Sequence, residues 1–285
     1  MKASIVIPTK DKLYRLRLVL QALEKQINDD VEVIIVFDGC NEDTLDQFNK
    51  TCFSFSPIPI VCEHNVGRAA ARNLGIQRAS GDIIIFVDDD RVPDQDFVNK
   101  HIYGHQNEKC VLLGERKDVF MLESEIKDLF DQGLLRDDIQ ILKSKVTKKQ
   151  LQKGVSIHHI NMLNWLSFYT GNVSIKKKYL EQIGFFDEKF KGWGHEDLDL
   201  GIRLSNIGLK FKKDNSLVNY HLLHDSNFNV KEKVEQSNKN LKYMIRKYKR
   251  SYIQWILFLF YLKHRLVGLN INKNVMREKK TTISK

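Results

Sequence analysis

Ile83-Ile84-Ile85-Phe86-Val87-Asp88-Asp89-Asp90 is the stretch whose reading decides the fold. Five consecutive apolar residues, mostly β-branched, predict a strand buried on both faces. The three carboxylates that follow cannot share that packed layer, so they belong at the rim of the sheet. Adjacent like charges repel there unless water or a cation neutralises them, and hard oxygen ligands suit Mg²⁺ or Mn²⁺. The run therefore reads as a divalent metal site holding phosphates; the plain alternative is a polar turn that ends the strand.

Upstream of this run, strands alternate with amphipathic helices. Ala3 to Ile7 and Val31 to Phe37 are apolar strands, separated by a helical face of Leu13, Leu16, Leu20 and Leu23. Asp43 to Lys50 reads as a helix, Ile58 to Val61 as a short strand, Gly67 to Ala79 as a helix with a small-residue face, and Asp82 to Val87 as the strand above. This alternation predicts βαβ units, a parallel sheet and right-handed crossovers. Ligands of such sheets bind beyond the carboxyl ends of the strands, so Pro8-Thr9-Lys10, Asp38-Gly39 and Asp88 to Asp90 are expected to face one cleft. No GxGxxG or GxxxxGK[ST] loop follows these strands. Phosphates would have to be held by metal and basic side chains.

The 285 residues, 42% hydrophobic and 29% charged, suffice for one large core or a core with a smaller appendage. The formal net charge of +10 is concentrated late: Lys231, Lys233, Lys239, Lys242, Arg246, Lys247, Lys249 and Arg250 crowd one stretch, which suggests an anionic surface as partner. Cys40, Cys52, Cys62 and Cys110 have no CxxC pairing or zinc spacing and read as reduced thiols of a cytoplasmic protein. The opening MKASIVIPTK is broken by Pro8 before a signal-peptide core could form. The late apolar run Trp255 to Leu262 is far below the roughly 20 residues that cross a bilayer. No recognition motif for nucleic acid accompanies the basic charge.

Residues 117–159 are charged, with apolar positions at helical spacing (Met121, Ile126, Leu129, Phe130), and read as a helical excursion over the site. Trp165 to Tyr169 and Asn172 to Ile175 read as strands, Lys177 to Ile183 as a short helix stopped by Gly184. A second constellation follows, Gly192-Trp193-Gly194-His195-Glu196-Asp197-Leu198-Asp199. Two glycines around a tryptophan permit a tight loop, and the helical spacing after it puts Glu196 and Asp197 at a helix N-terminus, where the dipole favours carboxylates. A carboxylate beside an aromatic wall suits a general base towards a sugar hydroxyl; an acidic helix cap is the bland reading. His101 and His158-His159 have no comparable partners and read as packing or surface residues.

Taken in order, Ser4 to Thr9, Val36-Phe37-Asp38-Gly39, Gly67 to Asn73, Gly81-Asp82 through Asp90, and Gly192 to Asp197 resemble the signature of family 2 glycosyltransferases of the GT-A fold. The Gly-Trp-Gly-x-Glu-Asp loop resembles the galactosyltransferase-like and chondroitin-polymerase-like branch, and its Glu196-Asp197, where retaining peptide N-acetylgalactosaminyltransferases carry Glu-Asn, points to inversion. The resemblance implies an α/β GT-A fold, with a Rossmann-like, mostly parallel central sheet flanked by helices and a C-terminal helical extension. It divides the chain into a catalytic domain, 1–228, and a basic aromatic helical tail, 229–285. Within the former, a nucleotide-binding half (about 1–115) and an acceptor and catalytic half (about 160–228) flank the excursion.

By the same resemblance Pro8, Thr9 and Asp38 line a uridine pocket, and Arg68 and Arg72 approach the nucleotide, with a structural arginine as the other reading of Arg72. Asp88 and Asp90 match the ends of a DxD element and Asp89 contacts ribose or donor sugar. Trp193 and Gly194 contact substrate. Asp90 is the preferred ligand of Mn²⁺ or Mg²⁺, with Asp88 and a histidine, His221 ahead of His224, as further ligands. Asp197, with Glu196 beside it, deprotonates the hydroxyl of a glycan, lipid-linked or peptide acceptor, which displaces UDP from a UDP-α-sugar carrying a hexose or N-acetylhexosamine and yields a β-glycoside. The alternatives are a non-catalytic sugar-nucleotide or glycan-binding scaffold subunit and a sugar nucleotidyltransferase. Two roles stay open for the tail: lying in an anionic membrane interface, which would make the protein peripheral at the inner face of the membrane, or packing on protein in an oligomer.

Overall fold

The computed structural model describes residues 1–106, 108–133, 139–147, 161–223, 230–259 and 261–262. The chain forms two compact units, Met1–Glu188 with Asp197–Asp225, and Lys189–Glu196 with Ser226–Lys285.

The first unit is built on an eight-stranded sheet. Its order is β3(Ile58–Cys62), β2(Val31–Asp38), β1(Ala3–Thr9), β4(Ile83–Val87), β7(Asn172–Lys176), β6(Cys110–Phe120), β8(Lys210–Leu223), β5(Arg91–Pro93). The first four strands run parallel, linked through α1(Leu13–Leu23), α2(Glu42–Asn49) and α3(Arg68–Arg78). β7 is antiparallel to both β4 and β6, β6 and β8 are parallel, and β5 is an antiparallel edge.

The continuous apolar strands are explained by their two covered faces. Ile5, Ile7, Val33, Ile35, Ile83 and Ile85 join one core with Leu16, Leu20 and Leu23 of α1. Their neighbours Val6, Ile34, Val36, Ile84 and Phe86 join another with Ala69, Ala71 and Ile76 of α3. Fully burying each such leucine or isoleucine contributes about 1.5–3 kcal/mol. The small residues of α3 let it lie close to the sheet: a Cβ on Gly75 would fall 2.3 Å from Val6 Cγ1.

Two expectations fail. Trp165 to Tyr169 is not a strand: Asn161–Ser167 is a 3-10 helix that buries Trp165 completely, because a short apolar run carries no reliable period. Residues 117–120 are not helical but the end of β6, paired with β8. Arg116, Lys117 and Asp118 are consecutive charges before the buried Val119, so no apolar alternation marks this end of the strand. The excursion does hold helices α5(Glu123–Asp131) and α6(Gln140–Ser144); its residues 134–138 and 148–159, including His158-His159, lie outside the described residues. The unit also contains α4(Phe97–Tyr103), α7(Lys177–Ile183) and, from Asp197 on, α8(Glu196–Asn206). Gly184 ends α7 at φ 78°, as expected of a left-handed helix stop.

The second unit contains the Gly192 to Glu196 loop and α9(Val230–Lys247), with further helix at 252–259. No helix among the described residues is long and apolar enough to cross a membrane.

Candidate active site

The carboxyl ends of β1, β2 and β4 and the start of α3 meet at one cavity, lined by Pro8, Thr9, Lys10, Lys12, Asp38, Arg68, Arg72, Asp88, Asp89 and Asp90. The three strand ends are thus brought together. Asp89 is buried, accepts from Thr9 Oγ1 at 2.8 Å, and shares with Asp90 the ammonium of Lys12, at 3.2 Å from Asp89 Oδ1 and 2.9 Å from Asp90 Oδ2. Lys12 occupies the N-cap position of α1 without capping it; its side chain instead supplies the neutralising cation. Burial opposes the charge on Lys12, but the two carboxylates outweigh it and hold the amine above its ordinary value. Burial, then the Asp90 charge, raises Asp89 against the pull of Lys12. Asp90 is held low despite its burial, chiefly by Lys12.

Asp88 points elsewhere. Its Oδ1 accepts from Arg72 Nη2 at 3.0 Å, and Gly171, at φ 110°, comes so close that a Cβ there would sit 2.6 Å from Asp88 Oδ2. Arg72, almost wholly buried, also lies 3.6 Å from Asp197 Oδ1 and 5.6 Å over the Phe186 ring. Asp197 accepts from Thr170 twice, through Oγ1 at 2.8 Å and the backbone amide at 3.3 Å. One guanidinium therefore joins the acid at the end of β4 to the acid in the first turn of α8. Asp38 accepts from the amides of Val66 (2.6 Å) and Gly67 (3.1 Å), which anchors the chain entering α3.

His221, on β8, bonds Asp118 Oδ1 through Nδ1 at 2.9 Å and places Nε2 3.9 Å from Asp90 Oδ1. Burial and the nearby Arg91 push His221 below its ordinary value, so it is neutral at pH 7. A carboxylate oxygen facing an imidazole nitrogen, with the other ring nitrogen held by a second carboxylate, is a donor set that suits Mn²⁺. Asp90 and His221 fit the metal. Asp88, turned to Arg72, is not drawn in with them, and among the described residues no three His, Cys, Asp or Glu are grouped to hold an ion. His224 lies outside the described residues.

Trp193, Gly194 and Glu196 belong to the second unit. There the loop is fastened to α9: Trp193 N donates to Gln236 Oε1 at 2.9 Å, His195 Nε2 pairs with Ser237 Oγ at 2.9 Å, and Asn240 Nδ2 donates to the carbonyls of Lys191 (2.9 Å) and Gly194 (2.8 Å). Gly192, Gly194 and His195 all have positive φ, a path that α9 holds in place. Lys12, Thr170, Gly171, Asp118 and these α9 residues are absent from the sequence reading. Of them only Lys12, a basic residue where a helix start favours acids or caps, left a local signal.

The open α/β sheet with its acidic rim at the carboxyl ends of the parallel strands has the GT-A fold, as its solved structural relatives show. Residues 4–166 match the family described as glycosyl transferase family 2, and residues 151–225 match that described as the N-terminal domain of galactosyltransferase. The chain belongs to glycosyl transferase family 2. It is 31% identical over 283 residues to the uncharacterized glycosyltransferase YfnE of Bacillus subtilis (strain 168), covering 87% of this chain and 71% of that one. It is 28% identical over 235 residues to the hyaluronan synthase of Pasteurella multocida, of which it spans only 24% while 76% of this chain is covered. Among solved structures, S. aureus TarS 1-349 in complex with UDP-GlcNAc matches with a TM-score of 0.61 at 15% identity, covering 94% of this chain and 73% of that one. GalNAc-T7 with UDP, GalNAc and Mn²⁺ matches with 0.62 at 12%, covering 88% and 49%.

Proposed function

We propose that this chain transfers a hexose or N-acetylhexosamine from a UDP-α-sugar to a hydroxyl of a glycan, lipid-linked or peptide acceptor with inversion, forming a β-glycoside. The observation that carries this reading is Arg72, which holds Asp88 on one side and Asp197 on the other. A base and a donor-facing acid tied to one buried guanidinium are fixed relative to each other, as an in-line displacement requires. Asp197, with its two oxygens oriented by Thr170, takes the proton of the acceptor hydroxyl as the oxygen attacks the anomeric carbon. Pro8, Thr9 and Asp38 receive the uridine, Asp89 the ribose or donor sugar, and Arg68 and Lys12 face the diphosphate. Asp90 and His221 would hold Mn²⁺ or Mg²⁺, which when bound stabilises the departing diphosphate; the Mn²⁺ in the GalNAc-T7 complex supports this choice. Trp193 and Gly194 are assigned to substrate, and Glu196 to the catalytic pair with Asp197, by resemblance alone. The donor class is supported by the UDP and UDP-GlcNAc of the structural relatives. Asp197→Asn should abolish transfer and leave UDP-sugar affinity within a few fold; near-normal turnover would sink the assignment of the base.

We assign the far C-terminal helix to an anionic membrane surface. Tyr252, Trp255, Leu259 and Leu262 recur at helical spacing and are exposed, Trp255 by 72%, and they follow the basic α9. Because α9 also fastens the Trp193 loop, truncation before it would confound the test. Vesicles of anionic lipid should float the wild type but not Trp255→Ser/Leu259→Ser; equal flotation of both overturns the assignment.

A further inference from the structure

A second cavity, of about 320 Å³, opens within the first unit and is lined by Arg91, Arg116, Tyr169, Thr170 and Asn172 among others. Its volume suits one sugar ring. Among the described residues its lining carries two guanidiniums and no carboxylate, although Asp88, Asp90 and Asp118 lie close enough to act on Arg91. Thr170, in its wall, is the residue whose hydroxyl and amide both hold Asp197, so a sugar lodged here lies beside the proposed base rather than among the acids of the donor cavity.

Arg91 is the unusual member. Only 12% of its side chain is exposed, and its one ion pair among the described residues is a long one, Nε to Asp90 Oδ1 at 3.8 Å, with the charges of Asp88 and Asp118 also acting on it. No hydrogen bond fills its guanidinium fork from any described residue; its Nε is buried without a hydrogen-bond partner. An arginine offers five donors in a planar fork matched to carboxylate and phosphate. Burying one while leaving the fork open is costly unless something else completes it. Arg116, half-exposed and paired with Asp118 at 3.0 Å, stands in the same lining.

We propose that this cavity is the acceptor subsite and that it takes a sugar bearing an oxyanion, a carboxylate or a phosphate, received by the open fork of Arg91 with Arg116 as the second cation. The assignment rests on the glycosyltransferase reading above. Tyr169, exposed on the same lining, offers a ring face for the sugar and a phenol for a hydroxyl.

The test uses three p-nitrophenyl glycosides that differ only at C6: the glucoside, the glucuronide and the glucoside 6-phosphate. Binding is read by saturation-transfer NMR on the full chain with UDP present, and transfer is read with the UDP-sugar whose UDP release is fastest. At least one acidic glycoside should bind and react at least tenfold better than the neutral one, and which of the two does so identifies the oxyanion. Arg91→Met should erase the acidic-over-neutral binding ratio, and Arg116→Met should reduce that ratio threefold or more. Equal binding of all three glycosides overturns the proposal, as does an acid preference that survives Arg91→Met in a protein whose thermal unfolding is unchanged. Failure of UDP release with every donor would instead refute the transferase reading, while the NMR comparison still decides the anion subsite.

Discussion

Acidifying the protein from pH 7.5 to 5.0 should destabilise it through a pair of histidines sealed inside the first unit. His101 is fully buried, with Nδ1 2.8 Å from Ser174 Oγ and Nε2 3.1 Å from Asn172 Oδ1; His105 Nε2 reaches the same hydroxyl at 2.7 Å. Burial pushes His101 down to about 3, with Asn172 and Asp214 favouring its charged form and His105 opposing it. Burial likewise pushes His105 down to about 4, with Lys176 working in the same direction and Ser174 and Glu108 against it. Between pH 6.5 and these values the unfolded chain binds protons that the folded chain refuses, so stability falls as pH falls. At pH 5.0 the gap of roughly 1.5 units is worth about 2 kcal/mol per histidine at 1.36 kcal/mol per unit. The two share one hydroxyl, so the joint effect is about 2–4 kcal/mol, a large part of a total stability of ~5–15 kcal/mol.

Asp89 works in the opposite sense, since its raised value favours protonation of the folded state as pH falls. Glu32 and Asp214, both held low, contribute stability that is lost only below the ordinary carboxylate range. The assay is therefore a comparison. Urea unfolding at pH 7.5 and 5.0 is measured for the wild type and for His101→Gln, which keeps a donor and an acceptor but does not titrate. All other groups are common to both proteins. The wild type should lose about 2 kcal/mol more than the variant over this interval. A difference below about 0.5 kcal/mol would show that His101 takes up its proton in place, and the reasoning from burial would be wrong.

Arg72→Met should lower stability by about 2–4 kcal/mol, because it strands Asp88 and Asp197, both mostly buried, without their shared cation. Thermal unfolding checks this, and a loss under 1 kcal/mol would mean that the arginine is not what holds the two acids. Asn240→Leu should leave the carbonyls of Lys191 and Gly194 without their donor, at about 1–3 kcal/mol locally. Amide exchange at residues 192–195 should then speed up at least tenfold while β1 and β4 stay protected; unchanged exchange refutes the clamp.

The parallel half of the sheet was legible because its strands are covered on both faces, so Ile5, Ile35 and Ile85 needed no periodicity to be recognised. The acidic rim was legible for the complementary reason: Asp88 to Asp90 have no place in that core. What stayed hidden is how the charges are answered. Lys12 meets Asp89 and Asp90 across 77 and 78 positions of chain, Arg72 meets Asp197 across a longer gap, and Asp118 meets His221 from a strand whose consecutive charges disguised it. These pairings are set by strand order, which local pattern does not encode.

The C-terminal segment shows the same division from the other side. Its lysines and arginines drew attention to an external anionic partner, yet the hydrogen bonds that fasten the Trp193 loop to α9 come from Gln236, Ser237 and Asn240, neutral residues that add nothing to a charge profile. The inward side of α9 is held by buried Leu241 and Met244, by the Tyr243–Phe190 ring contact and by hydrogen bonds to a loop rich in positive φ. The Trp193 loop cannot keep such a path by its own propensities, since His195 at φ 75° is strained for a non-glycine residue. α9 is thus part of the motif's structure: its hydrogen bonds hold the loop backbone on a path that the loop's own residues do not favour.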